Sequence, residues 1–253
     1  MNIIGVTGQI GHGKSTFARL VGECAFSYQQ FESGQVVTEV ANAWQAATKM
    51  PPQPTQAGLN NWISLLPPIM WDIVHAETDK TLLQFTAGDQ QQDPSMFDKL
   101  YQYAELVQAQ PNLLRETITA ENKELFRPLL QWIGGYMVKM VNPGVWYDEI
   151  VRRIQRSEAE GHDLAIVTGL RFPGDAERIL SARGIIVRVI RNDAPDRDQT
   201  DPTEREQLTI PYQVTVHNNG SLAELAEAAC RLHKDMSQGQ MQVAYYAVEP
   251  SVV

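Results

Sequence analysis

The sequence predicts an α/β fold of three layers, a parallel sheet flanked by helices, with a mostly helical insertion. Three observations lead there. Apolar runs of five or six residues alternate with stretches of helical periodicity. A glycine-rich loop joins the first run to the first helix, and residues 51–118 interrupt the alternation with a high density of Pro, Gln and Trp.

The elements follow in order. Residues 2–6 form a short apolar strand of the kind buried on both faces. From residue 14 to 24 a helix sets Phe17, Leu20, Val21 and Cys24 on one face. A second short strand is expected at 27–31. The next helix starts at Gly34 and carries Val36, Val37, Val40 and Trp44 until Met50-Pro51-Pro52 stops it. Within the middle segment, helices are expected near 59–72 and 96–109, the first broken or bent at Pro67-Pro68. A long helix is predicted over 121–141, and Asn142-Pro143 as N-cap and first helical residue of another bearing Val145, Trp146, Ile150 and Ile154. Then come a buried strand at 163–168, a helix at 173–183 and a strand at 185–190. A polar stretch at 191–206 precedes a strand at 212–216. Ser221 and Glu224 form a capping box for the last helix, and the tail from about residue 237 reads as loosely ordered.

The 253 residues are 43% hydrophobic and 20% charged, which suits a soluble domain with a core large enough to bury a sheet. No run reaches the length needed to cross a bilayer, and the N-terminus lacks a signal-peptide pattern. A cytoplasmic protein without membrane association is expected. The net charge of −9 makes general nucleic-acid binding a poor fit, so any phosphate ligand needs a local basic cluster. Cys24 and Cys230 read as two buried thiols rather than a disulfide framework. A homodimer is compatible with the sequence.

Residues 8–15, Gly-Gln-Ile-Gly-His-Gly-Lys-Ser, fit the phosphate-binding pattern G-x-x-x-x-G-K-[ST] between a strand and a helix, the setting its mechanism requires. Glycines let backbone N–H groups converge, and the helix N-terminus adds partial positive charge. Lys14 would reach the β- and γ-phosphates, and the Ser15 hydroxyl would sit on Mg²⁺. Arg127, Arg152, Arg153, Arg156, Arg171 and Arg191 are expected near the strand ends, where a guanidinium can hold phosphate oxygens. The scattered histidines give no metal spacing. The five tryptophans read as packing residues, although one could stack on an acceptor base.

Residues 5–16 resemble the start of nucleoside monophosphate kinases and of dephospho-CoA kinase. Residues 127–134 (Arg-Pro-Leu-Leu-Gln-Trp-Ile-Gly), Trp146, Arg152-Arg153 and residues 167–173 (Val-Thr-Gly-Leu-Arg-Phe-Pro) are more particular. They are similar to phage and bacterial deoxynucleoside monophosphate kinases, with their R-x-x-L-Q-x-x-G and V-x-D-x-R-F-P segments. The resemblance covers roughly 1–50 and 120–232. It implies a P-loop NTPase-type fold, ATP and Mg²⁺ as cofactors, and a small nucleotide as acceptor.

Under that resemblance, Gly8, Gly11, His12, Gly13, Lys14, Ser15 and Thr16 hold the triphosphate, and Asn218 lies near the adenine. Glu32, Arg127, Gln131 and Arg171 belong to the acceptor site, while Lys14, Arg152, Arg153 and Arg171 act on the transferring group. Residues 191–206 take the place of a lid, with Arg191, Arg197 and Arg205 as candidates to close over ATP; 51–118 have no counterpart in the resemblance and read, from their composition, as an insertion or substrate-covering subdomain. One departure stands out. Gly169 occupies the place of an aspartate that would orient magnesium, leaving Glu32 or Asp175 as candidate replacements. The expected reaction is transfer from ATP to a (deoxy)nucleoside 5′-monophosphate. The alternatives are a dephospho-CoA kinase-like activity and a nucleotide-binding module with little transfer.

Overall fold

The computed structural model describes residues 1–48, 56–74, 94–140, 143–192, 206–240 and 245–248. The chain divides into two compact units: Met1–Ser33 with Ile150–Val253, and Gly34–Glu149.

The first unit is an all-parallel sheet with helices on both faces. Its strands are β1 (Asn2–Thr7), β2 (Tyr28–Glu32), β3 (Leu164–Thr168), β4 (Ile185–Ile190) and β5 (Val214–Asn218), with a short β6 (Tyr245–Val248) at the edge. The spatial order is β2-β3-β1-β4-β5-β6, so β1 is interior. Alternation along the strands builds the two faces. Ile4, Val6, Leu164, Ile166, Val187, Val189, Val214 and Val216 form one core cluster with Phe17, Leu20 and Val21 of α1 (Lys14–Glu23). Leu225, Ala228, Ala229 and Leu232 of the last helix, α9 (Leu222–Ser237), complete it. On the other face α8 (Pro173–Ser181) packs on β1 and β4.

The second unit is helical. It contains most of α2 (Ser33–Ala47), then α3 (Gln56–Ser64), α4 (Leu66–Val74), α5 (Pro94–Ala109), a 3₁₀ turn (Pro111–Arg115) and α6 (Arg127–Met140). The helix α7 (Val145–Ala159) begins here and runs into the first unit. An aromatic core holds the unit together. Trp44 meets Trp62 edge-on at 5.0 Å and Trp132 at 5.7 Å, and Tyr103 lies 6.1 Å away. The Trp44 indole N–H donates to Trp62 O at 3.0 Å, satisfying its one polar atom. Trp146 is buried and donates to Gly134 O, whereas Trp71 is partly exposed.

Several expectations are corrected. The helix predicted over 121–141 starts only at Arg127; residues 120–126 are turns, set by Asn122, whose Oδ1 accepts from Thr119 N at 2.7 Å. Pro128 suits a first helical turn, where no partner for its missing N–H is needed. The break expected at Pro67-Pro68 falls just before them, at Leu65, and the prolines lie in the first turn of α4. The helix α7 begins at Val145, after a turn at Pro143-Gly144. The expected cap Asn142, the stop at 50–54, and Arg197 and Arg205 lie outside the described residues. The last core strand begins at Val214 rather than Tyr212, and β6 lies in the stretch read as a loose tail.

The cysteines are the plainest correction. Cys24, at the end of α1, and Cys230, in α9, form a disulfide with Cα atoms 5.3 Å apart, and Cys230 is exposed. Side-by-side packing of α1 and α9 on one sheet face brings together residues 206 positions apart. The cross-link bears on the cytoplasmic expectation, because disulfides persist mainly in oxidising surroundings. Among the described residues no helix is long and apolar enough to cross a membrane.

Candidate nucleotide-binding site

Because every strand pairing is parallel, all C-terminal ends share one edge of the sheet. That edge carries residues 8–15 after β1, Glu32 ending β2, Gly169 to Arg171 after β3, Arg191 after β4 and Asn218 ending β5. From β1 the chain goes to β2 and from β4 to β5, in opposite directions along the sheet. Such a switch of direction opens a crevice outside the carboxyl ends, the usual ligand position in open α/β sheets.

Two glycines let the loop lie where it does. Gly8 has φ +140°, and a Cβ there would come 2.3 Å from Val189 O of β4. Gly13 has φ +90° and would meet the Asn218 side-chain nitrogen at 2.4 Å. A side chain at either place would push the loop off its neighbours. Gly11, at the exposed apex, also has positive φ. The helix then starts at once, with Phe17 N donating to Gly13 O at 2.9 Å.

Side chains tie the loop to β4 and β5. Asn218 Nδ2 donates to His12 O at 3.0 Å. His12 Nδ1 lies 3.2 Å from Val189 O and 3.4 Å from Arg191 N. These two contacts are alternatives. A protonated Nδ1 donates to the carbonyl, and a bare one accepts from the amide. Burial holds the His12 pKa below its ordinary value of 6.5; the Val189 carbonyl opposes this, and Lys14 and Arg191 add to the lowering. Next to it, Asn219 Oδ1 accepts from Asn192 N at 2.8 Å. Lys14 Nζ donates to Gln9 O at 2.7 Å, keeping the ammonium over the loop.

Beyond the loop, Ser15 and Glu32 are exposed and Thr16 is half-buried. Thr168 is buried, and its hydroxyl accepts from Gln30 Nε2 at 3.4 Å. Asp175 turns out to be a helix cap. Its carboxylate accepts from Arg171 N and Phe172 N, each at 3.0 Å, and it is buried at the start of α8. Burial raises its pKa, against the pull of those amides and of Arg178 and Arg171. It is thereby removed as a stand-in for the carboxylate missing at 169.

The arginines divide. Arg171 and Arg191 are exposed at the site edge. Arg152 and Arg153 are half-buried in α7. Arg156 is not brought to the edge: the N-terminal ammonium of Met1 pairs with Glu158 at 2.7 Å, so the last turn of α7 lies where β1 begins. Arg127 and Gln131 are exposed on α6 in the helical unit, and Arg127 pairs with Glu124 at 3.0 Å. That unit has a cavity of about 490 Å³ beside Asn42, Gln45, Thr48 and Arg115; Arg127 and Gln131 do not line it.

Two features of the site had no sequence signal. Bracing of the loop by Asn218, and the His12 contact with β4, depend on strand order. The resemblance puts Asn218 near the adenine, but nothing along the chain indicates that its side chain holds the loop at His12 O. No protein-family model matches the chain, and no curated protein is significantly similar to it.

Proposed function

We propose that this chain is an ATP-dependent P-loop kinase that phosphorylates a (deoxy)nucleoside 5′-monophosphate to the diphosphate. The observation that carries the reading is the conformation of residues 8–15. The loop turns through left-handed glycines, is held against β4 and β5, and opens directly into α1. Unpaired N–H groups at a helix start, with the dipole behind them, attract phosphate. Attachment to two neighbouring strands keeps those donors oriented before the ligand arrives.

In this reading Lys14 exchanges Gln9 O for the β- and γ-phosphate oxygens. The Ser15 hydroxyl provides one ligand to magnesium, which when bound neutralises phosphate charge. The residues present suit such an ion. The Ser15 hydroxyl is a hard oxygen donor, and magnesium that arrives on a triphosphate keeps several waters and needs few ligands from the protein. Arg171 and Arg191 would offset charge on the transferring group, together with Arg152 and Arg153. A monophosphate oxygen is already ionised near neutral pH, so positioning and charge neutralisation dominate over base catalysis. Arg127 and Gln131 are assigned to the acceptor by the family resemblance.

Gly169 favours a second reading, a nucleotide-binding module with little transfer. Incubating the purified protein with ATP, Mg²⁺ and a panel of ribo- and deoxyribonucleoside monophosphates separates the two. The kinase reading expects diphosphate from at least one acceptor, detected by chromatography. ATP binding without any product supports the module, and no ATP binding sinks both. Lys14→Ala should weaken ATP binding roughly ten- to a hundredfold, the worth of a charge-assisted hydrogen bond.

A further inference from the structure

The end of β3 offers no carboxylate, yet the space beside it is taken. Gly169 has φ +79°, and a Cβ built there would lie 3.1 Å from Glu32 Cγ and 3.4 Å from Glu32 Oε1. Strand register explains the approach. Glu32 closes β2 opposite Thr168, which closes β3, so the Glu32 side chain leans across the strand end into the volume that a side chain at 169 would fill. Glycine at 169 is what leaves that room. The Glu32 carboxylate is exposed and makes no hydrogen bond or ion pair with the described residues. By contrast Asp175, the other nearby acid, is committed to the α8 cap.

Resting on the P-loop reading above, we infer that Glu32 is the metal-orienting residue of this site. It reaches from β2 into the place where an aspartate at 169 would stand, and it faces the magnesium of MgATP rather than the acceptor. A carboxylate is the hard oxygen donor that magnesium or its bound waters prefer. The strand-end glycine and the neighbouring glutamate are then one device: the carboxylate comes from the adjacent strand, and glycine at 169 leaves room for it.

The test is a calorimetric titration of ATP with Mg²⁺ and again with EDTA. For the native chain, Mg²⁺ should tighten ATP binding. Glu32→Gln keeps the shape and removes the charge; it should lose about tenfold of that tightening, the scale of a group that orients a metal, while metal-free affinity is unchanged or improved. Placing the carboxylate back on β3 provides the second arm. Gly169→Asp in a Glu32→Ala background, where the shortened side chain vacates the contested volume, should restore the Mg²⁺ dependence, aspartate being among the residues that tolerate positive φ. Gly169→Asp alone should impair it, because two side chains then contend for one volume.

An unchanged Mg²⁺ effect in Glu32→Gln overturns the inference. So does a variant whose only loss is affinity for a nucleoside monophosphate, which would make Glu32 an acceptor ligand. If the native chain binds no ATP under either condition, the P-loop reading itself fails, an outcome distinct from both.

Discussion

His12 illustrates how a residue in a variable position of a loop gains a defined role. Its ring bridges the glycine-rich loop and the end of β4, and burial lowers its pKa from 6.5. A lowered folded-state pKa means that the fold prefers the neutral ring. Its contribution is full above the unfolded value near 6.5 and is lost as pH falls through the folded value. The expected outcome is a depressed His12 titration in NMR, and a decline in unfolding free energy from pH 7 to 5 that is smaller in His12→Asn. A normal His12 titration would mean that burial of the ring does not outweigh its contact with the Val189 carbonyl. At the same scale Glu32 and Gly169 belong together, although 137 positions apart in the chain.

Among elements, α1 and α9 carry the sheet face under the loop. Their shared core is legible in the sequence as helical periodicity, and the Ser221 cap is found as expected, with Ser221 N donating to Glu224 Oε2 at 2.7 Å and Ser221 Oγ accepting from Glu224 N at 3.3 Å. The Cys24–Cys230 link was not legible, because a contact between two helices has no local signature. A cross-link closing so long a loop restricts the unfolded chain and is worth roughly 2–5 kcal/mol. Cys24→Ala with Cys230→Ala, compared with the oxidised native chain, should lower the urea-unfolding free energy by that amount. Thiol titration of unfolded, non-reduced protein should find no free thiol. Two reactive thiols from oxidised preparations would count against the link.

Across the whole molecule, all five tryptophans fall within Gly34–Glu149, so intrinsic fluorescence reports the helical unit. Trp44 is fully buried against Trp62, Tyr103 and Trp132. Trp44→Ala should cost about 3–5 kcal/mol through lost contacts and the cavity left behind, read as an earlier fluorescence transition in urea. A shift well under 1 kcal/mol would mean that the aromatic cluster is not the core of that unit. The reading of the tryptophans as packing residues fits Trp44, Trp62, Trp132 and Trp146, and fits Trp71 least.

Local chemistry determined much of this by itself. Buried apolar runs mark strands β1, β3 and β4, because a strand covered on both faces needs no polar alternation. Periodicity marks α1, α2, α8 and α9, and the spacing of Gly8, Gly13, Lys14 and Ser15 marks the loop between β1 and α1. Only the tertiary structure decided what meets at the sheet edge. Strand order sets Asn218 against His12 and Val189 against Gly8; register sets Glu32 over Gly169; helix packing sets Cys24 on Cys230. Each is a contact between residues distant in the chain, determined by how layers stack, and neither propensity nor spacing encodes it.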